Sequence, residues 1–591
     1  VFTYRFGGDF ESSTGEQWTA KVAFTEDSFN DGSSSATSGS YSIIERKRYE
    51  TNHDFYLNYN TQLTSDLGMN VLVGANLNER NYSELTGAIS SIDVDGFYRL
   101  SNSLSDAIAA QDNSKKRMGG IYASVDFDYK NFLYLNVIAR NDWSSTLPSD
   151  NNSFFYPGVT GSFVFSELLN KTGNSPAFLN FGKLRMSYAL AGNDAPMYGI
   201  YSRYFSGEMY LPGYPDVDDL TMPLGGVNSY EVGNTLGSPD LKPEISKEFE
   251  VGLELSMFKN RVGLDLSYYD RYTDGLIDYL PIDPTSGYTS QLKNLCDVTN
   301  QGIDIALNLT PLKIGDFKWD LTYTFSKNWN EVVNSPVDEV NLGGFGGAGI
   351  YAVEGKELGI FKTSVAKKVQ LDSNYNIVAS GGQDYYVVDG NGNVQPSTEE
   401  EYTNKSINED FAMGLQTTFS WKGLSLGATF DYHKGGYLYS ATKNYMHWVG
   451  SAIESTYNDR NPFIVPGSVV LNADGSYSEN MNPVTSNTFH NFYNDYGAFE
   501  SAEYAIIDRS FLKLREVRLS YTLPAKITEG IGITDVKLSA IAGNILLWTP
   551  SDNPYVDPEV TTFGNDVEAR FGEFMSNPTS RTYSFTLTLG F

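Results

Sequence analysis

Large apolar side chains occupy every second position over long stretches of this chain, with small or charged residues between them. Phe249, Val251, Leu253 and Leu255 alternate with Glu250, Gly252, Glu254 and Ser256. After Lys259-Asn260 the alternation resumes with Val262, Leu264, Leu266 and Tyr268. Ile303, Ile305, Leu307 and Leu309 lead to Gly315-Asp316, and Trp319, Leu321, Tyr323 and Phe325 follow. Leu415, Phe419 and Trp421 lead to Lys422-Gly423, then Leu424, Leu426, Ala428, Phe430 and Tyr432. The chain closes on Tyr583, Phe585, Leu587, Leu589 and Phe591, with Ser584, Thr586, Thr588 and Gly590 between them. A period of two marks strands, and the short joints make them antiparallel hairpins.

These segments run to roughly 10–14 residues, close to the 9–11 that a tilted strand needs to cross a bilayer and longer than the usual soluble strand. Their large faces suit lipid and their small or charged faces a wet lumen. The connections also sort by length. Short ones fall at 130–131, 259–260, 311–315, 422–423 and 524–534, and long ones at 80–116, 191–245, 276–299, 331–407, 439–509 and 549–580. They alternate, as in outer-membrane barrels, where short periplasmic turns oppose long extracellular loops. The pattern predicts an all-β fold, a large transmembrane antiparallel β-barrel with about 17 strands in this chain. Single-chain bacterial barrels have even strand numbers, so further strands are expected upstream of Val1.

Composition sharpens this. At 591 residues the chain is too long for one soluble domain, whereas a barrel grows by adding hairpins. Tyr (41), Phe (35) and Gly (55) are abundant, which excludes disorder. The mean hydropathy of -0.32 does not argue against a membrane protein, because only alternate barrel residues face lipid. No apolar run is long enough for a transmembrane helix. A net charge of -30 repels phosphate backbones and makes nucleic acid an unsuitable partner. A single cysteine, Cys296, allows no internal disulfide and no thiolate metal site.

Little in the chain suggests covalent chemistry. Gly344, Gly346 and Gly349 fit G-x-G-x-x-G but lie in a Gly-rich loop without the strand and helix of a dinucleotide site. Asp389, Asn391, Asn393 and Glu400 have calcium-loop spacing, yet Val394 replaces the turn glycine, which favours a plain Asn-Gly turn. His53, His433, His447 and His490 are scattered and match no hydrolase motif. No enzyme, cofactor or metal site is read. The loop 191–245 is different: Tyr201, Tyr204, Phe205, Tyr210 and Tyr214 cluster with Asp216, Asp218 and Asp219. Aromatic faces beside carboxylates can hold sugar rings, or can pack a loop against its neighbours. Trp143, Trp319, Trp421 and Trp548 read as girdle residues at the membrane interfaces.

Six stretches resemble the SusC/RagA family of TonB-dependent transporters. They are Leu184-Arg185-Met186-Ser187-Tyr188 with Ala191-Gly192-Asn193; Pro239-Asp240-Leu241-Lys242-Pro243-Glu244 with the hairpin at Lys259-Asn260; and Asn300-Gln301-Gly302-Ile303-Asp304. The others are Ser510 through Tyr521; Gly543 through Trp548 with Asp557-Pro558-Glu559; and Pro578 through Tyr583, ending at Phe591. They keep the family's order and cover most of the chain after Gly119. The resemblance implies a barrel of about 22 strands. It also implies an N-terminal plug, energy from TonB with ExbB and ExbD, and a SusD-like surface lipoprotein as lid. The implied setting is the outer-membrane lipid of a Gram-negative bacterium, where transporter and lid pairs can form a dimer. Phe591 would be the aromatic insertion signal.

No Met or leader begins the chain, so residues 1–591 read as a C-terminal barrel portion, with plug, TonB box and first strands outside it. The expected function is active import of a nutrient, an oligosaccharide first and a peptide second. A passive porin and an adhesive surface barrel are the alternatives.

Overall fold

The structure is a computed structural model that describes residues 1–22, 38–206, 208–209, 220–221, 227, 230–456, 458–485, 502–524, 527, 533–564 and 567–590. Tyr210, Tyr214, Asp216, His490, Phe591 and much of the expected turn at 524–534 lie outside the described residues.

Seventeen strands fall in one sheet among the described residues. Sixteen are long: β1 (Phe2–Thr19), β2 (Ser40–Thr64), β3 (Leu67–Ile89), β4 (Ile108–Tyr129), β5 (Leu133–Ser144), β6 (Ser153–Phe163), β7 (Leu179–Asn193) and β8 (Glu244–Met257). Then come β9 (Val262–Pro281), β10 (Ser290–Ile314), β11 (Phe317–Asn334), β12 (Glu409–Trp421), β13 (Leu424–Gly435), β14 (Phe511–Thr522), β15 (Asp535–Trp548) and β16 (Thr582–Gly590). The seventeenth is the two-residue Thr235–Leu236, which pairs parallel to the start of β10. The chain divides into two compact units: unit 1 is Val1–Gly161, Tyr188–Lys247 and Ile277–Asn294, and unit 2 is Ser162–Ser187, Glu248–Leu276 and Leu295–Phe591.

Register turns the alternation into rows that run across neighbouring strands. In unit 2 one row reads Phe317, Trp421, Leu424, Tyr521, Leu538, Leu587, and the next on that face reads Trp319, Phe419, Leu426, Leu519, Ala540, Phe585. Between them, on the opposite face, runs Lys318, Ser420, Ser425, Ser520, Ser539, Thr586. The apolar rows are solvent-facing: Phe585 is 86% exposed and Leu587 58%. They therefore do not line a dry core, and such a surface needs lipid to cover it. Unit 1 repeats the design with Tyr59, Val71, Val125 and Val137 on one face and Asn60, Asn70, Asp126 and Asn136 on the other. Asp126 accepts from Asn70 at 3.1 Å and from Asn136 at 2.5 Å.

The hairpin at Lys422-Gly423 needs both residues at positive φ, 48° and 85°, the two-residue turn whose twist matches its strands. A Cβ on Gly423 would also come within 2.6 Å of the Thr522 carbonyl oxygen.

Strand lengths depart from the expectation. β2 and β10 each run 25 residues, and the connections expected at 80–116 and 276–299 shrink to 90–107 and 282–289. A strand of that length spans about 80 Å, far beyond the ~25 Å apolar band of such barrels. The extra length lies where the sequence stops alternating. Glu45 pairs with Leu85, Arg46 with Glu84 and Lys47 with Ser83, and the Arg46 guanidinium donates to Glu84 at 2.7 Å. Backbone ladders need no lipid face, so pairing continues after the hydrophobic signal ends.

The longest connections are also more structured than loops. Val340–Phe345, Ala348–Ala352, Ile360–Thr363 and Glu401–Ser406 form one small sheet; Lys368–Leu371, Gln383–Val388, Ser468–Leu471 and Tyr477–Glu479 form a second. Tyr437–Ser440, Ile506–Asp508 and Gly572–Glu573 form a third. Ile350, Phe361, Ile407, Tyr439, Ile506 and Phe571 make a buried core there. A helix, Ala441–Trp448, is capped by the Ser440 hydroxyl, which accepts from the Lys443 amide at 3.1 Å.

Candidate functional site

The charged residues of unit 2 gather on the face opposite the apolar rows. On β7, Arg185 reaches Asp265 at 2.9 Å and Glu250 at 3.5 Å. On β9, Arg271 meets Glu248 at 2.5 Å. Tyr269 lies between them in sequence. Its ring packs on Gly302, where a Cβ would come within 2.3 Å of the phenol oxygen, and its hydroxyl donates to Asn328 at 3.0 Å. Glycine leaves the ring its room there, and any side chain would force it to shift.

A second network binds the last long connection to the wall. The buried Lys513 ammonium donates to both oxygens of Asp557 at 2.7 Å and also to Glu559. Arg515 holds Asp431 at 2.5 Å and Glu559 as well. His433 lies between Glu409 at 2.7 Å and Asp431 at 3.2 Å, and stacks on Phe511 at 4.6 Å. Burial opposes ionisation of Glu559, yet Arg515 and Lys513 outweigh it and hold the carboxyl down at about 2. Lys513 and Arg515 share one face of β14 because they are two positions apart, and β14 is bulged beside them. Its register shifts between Leu514 and Glu516 against β15, and between Thr429 and Phe430 against β13. Arg515 is the extra residue against β13, and the shift turns the residues that follow it, so that Val517, Leu519 and Tyr521 continue the apolar face. The sequence carries a trace of this: the apolar phase moves from Leu512 and Leu514 to Val517, Leu519 and Tyr521.

These networks border a polar cavity of about 710 Å³, lined among others by Glu248, Tyr269, Asp304, Asn328, Glu409 and Arg570. A neighbouring one of about 450 Å³ shares Ser267, Asp304, Ser326 and Ala412 with it. None of these residues was singled out as a site from the sequence, because polar inward positions look alike along every strand.

The residues that were singled out are placed as follows. Tyr201 and Tyr204 are 64% and 71% exposed. Phe205 lies under the Arg203 guanidinium at 5.0 Å, in a short strand, Tyr204–Ser206, paired with Tyr230–Val232. Trp421 ends β12 and Trp319 begins β11, both beside short turns; Trp319 donates to the Thr417 hydroxyl at 2.9 Å. Trp143 and Trp548 lie at the long-connection ends of β5 and β15, so the four divide between the two kinds of strand end. Gly344 and Gly349 face each other in a hairpin turning at Gly346-Gly347. The Asp389 carboxylate accepts from the amides of Asn391 and Asn393, each at 2.8 Å, as in an Asx turn.

Comparison with known proteins agrees with this architecture. The chain matches, over residues 2–494, the family described as TonB dependent receptor-like, beta-barrel. TonB-dependent receptor P26 of Formosa agariphila is 26% identical over 100% of the chain and 60% of its own length. TonB-dependent receptor SusC of Bacteroides thetaiotaomicron is 22% identical over 54% of the chain and 31% of its own. The structure of the RagAB peptide transporter superposes with a TM-score of 0.72 at 18% identity, covering 100% of this chain and 59% of that one. The chain therefore spans 60% or less of the curated relatives it matches. Its fold is the large antiparallel transmembrane β-barrel that its alternation predicts, its motifs are SusC-like, and the chain belongs to the TonB-dependent receptor β-barrel family.

Proposed function

We propose that this chain forms the barrel of an active nutrient importer in the outer membrane of a Gram-negative bacterium. The observation that carries the reading is the two-faced wall: exposed apolar rows on one side, and a charged, hydrogen-bonded surface with polar cavities on the other. A solute passes along the polar side, and no covalent bond is made or broken. The mechanism is gated access.

In this reading a plug, contributed by sequence outside residues 1–591, moves under the pull of TonB, ExbB and ExbD. A SusD-like lipoprotein closes over the long connections, and transporter–lid pairs associate as a dimer. Tyr201, Tyr204 and Phe205, with Tyr210 and Tyr214, offer stacking faces to the incoming solute, and Asp216 a carboxylate for hydrogen bonds. Trp143, Trp319, Trp421 and Trp548 anchor the wall at the lipid interfaces, and Phe591 serves as insertion signal. The cargo is an oligosaccharide or a peptide; RagAB, whose fold the chain shares, is a peptide transporter.

The test is deletion of the gene in its host, with growth and labelled-solute uptake on single glycans and peptides. Uptake of one nutrient class should vanish, and should vanish equally when the proton-motive force is collapsed. Steady conductance in planar bilayers without TonB would show a porin. Normal growth on every nutrient with lost attachment would show an adhesin.

A further inference from the structure

On the apolar side of unit 1 the outward rows end in a groove. One row reads His53, Leu77, Gly119, Trp143, and Gly119 leaves a gap in it between Leu77, 56% exposed, and Trp143. The next outward positions are Thr51, Glu79 and Arg117, so the face turns from apolar to charged within one strand period. From their short-turn ends to this row, Leu67 to Leu77, Tyr129 to Gly119 and Leu133 to Trp143 each span eleven residues, the length with which a tilted strand crosses the hydrocarbon core. The far ends of β3 and β4 meet at the long connection 90–107, of the extracellular kind. The row therefore marks where acyl chains of the outer leaflet give way to headgroups. The groove there, of about 620 Å³, has both apolar and charged residues in its walls.

The charges beyond the row do not cancel. In the three outward rows that follow it, Lys47, Lys115 and Arg117 meet one carboxylate, Glu79, in a chain of net charge -30. Lys115 and Arg117 share that carboxylate, each at 2.8 Å. Arg117 gives it only Nε. Its two terminal nitrogens make no hydrogen bond among the described residues, and its side chain is 67% exposed. On the opposite face of the same strands Arg80 pairs with Glu50, Arg46 with Glu84 and Lys116 with Asp194, one to one. The surplus of cations is on the lipid side.

A guanidinium with both terminal nitrogens open fits a phosphate with two parallel hydrogen bonds. Thr51, Ser145 and Asn152 add hydroxyls and an amide to the same walls, groups that pair with sugar hydroxyls. We propose that this groove binds a phosphorylated glycolipid of the outer leaflet, its phosphate on Arg117 and Lys115 and an acyl chain laid over Gly119 between Leu77 and Trp143. A water-soluble anion would leave Leu77 and Trp143 uncovered, and an uncharged lipid would leave Arg117 unanswered. The inference rests on the outer-membrane placement of the barrel and not on what the barrel carries.

The experiment is native mass spectrometry of the full-length protein in detergent with lipid A, with lipid A stripped of its phosphates, and with inorganic phosphate as competitor. Lipid A should bind about tenfold more tightly than the stripped form, or better, and inorganic phosphate should not displace it. Arg117→Gln with Lys115→Gln should remove the preference. Gly119→Leu should fill the groove and weaken both lipids; a Cβ there comes no closer than 3.4 Å to Leu77, so the strand can carry it. Equal binding of the two lipids would overturn the proposal, as would an unchanged preference in the double variant or displacement by inorganic phosphate. A dimer that dissociates on Arg117→Gln with lipid affinity unchanged would give the face to a second copy of the chain and overturn it too. Folding into phospholipid vesicles separates the site from the placement. Protein that inserts and shows no lipid preference sinks the groove and leaves the barrel in the membrane. Protein that stays soluble without detergent sinks both.

Discussion

The phenol ring of Tyr269 occupies the space that a side chain on Gly302 would need, so the two strands carrying them meet ring against bare backbone. From that seat the hydroxyl reaches Asn328 on the next strand at 3.0 Å. Three neighbouring strands are thus joined through one side chain on the polar face.

Gly302→Ala should displace the ring and break that bond. Overpacking of this kind costs about 1–3 kcal/mol, and urea unfolding of the barrel in vesicles would measure it. Truncating the ring as well, in Gly302→Ala with Tyr269→Ser, should recover part of the loss. Recovery of none would show that the alanine acts on the strand and not on the ring.

The Lys513–Asp557 pair is buried on both sides, 6% and 4% exposed. Breaking it with Lys513→Met leaves two carboxylates together and should cost about 3–5 kcal/mol, with faster proteolysis of residues 549–581. Lys513→Met with Asp557→Leu should restore much of the stability. Unchanged proteolysis in the single variant would mean that the connection is held elsewhere.

Glu559 makes the same tether pH-dependent. Its folded carboxyl titrates at about 2, below the ordinary carboxylate value. A lowered folded pKa gives a contribution that is complete above the unfolded value and lost as pH falls through the folded one. Pepsin cleavage within 549–581 should therefore rise between about pH 4.3 and 2. Glu559→Gln should flatten that rise.

Phe585 and Ser584 are neighbours on opposite faces of β16. Phe585→Arg puts a cation on the lipid face and should cost about 2–4 kcal/mol if it lies near the midplane, whereas Ser584→Arg on the wet side should cost far less. Folding yield and stability in phospholipid vesicles would compare them. Equal penalties would contradict the assignment of faces.

Much of this wall could be read from the residues themselves. Because Lys422-Gly423 sets the register of β12 and β13, the row through Trp421 and Leu424 follows from alternation alone. The bulge at Arg515 is visible as a phase slip between Leu514 and Val517, though the partners of Arg515 are not, since Asp431 and Glu559 come from other segments. The halves of β2 and β3 that pair Glu45 to Asn52 with residues 78–85 were hidden, since they are mostly polar and keep no apolar period. The small sheet of Val340–Phe345, Ala348–Ala352, Ile360–Thr363 and Glu401–Ser406 was hidden for a related reason: its apolar residues turn into a core with Phe361 and Tyr439, not outward. The cavity could not be read at all, because Glu248, Asp304, Glu409 and Arg570 come from four distant segments.

The reach of β2 and β3 has a mechanical corollary. A hairpin bonded rung by rung along its whole length behaves as a stiff mast, since a bend at any point must open several rungs at once. Whatever engages its far tip is held at a set distance from the base of the hairpin. Displacement must then be taken up by the connections, and the mast itself gives a fixed reference against which they move.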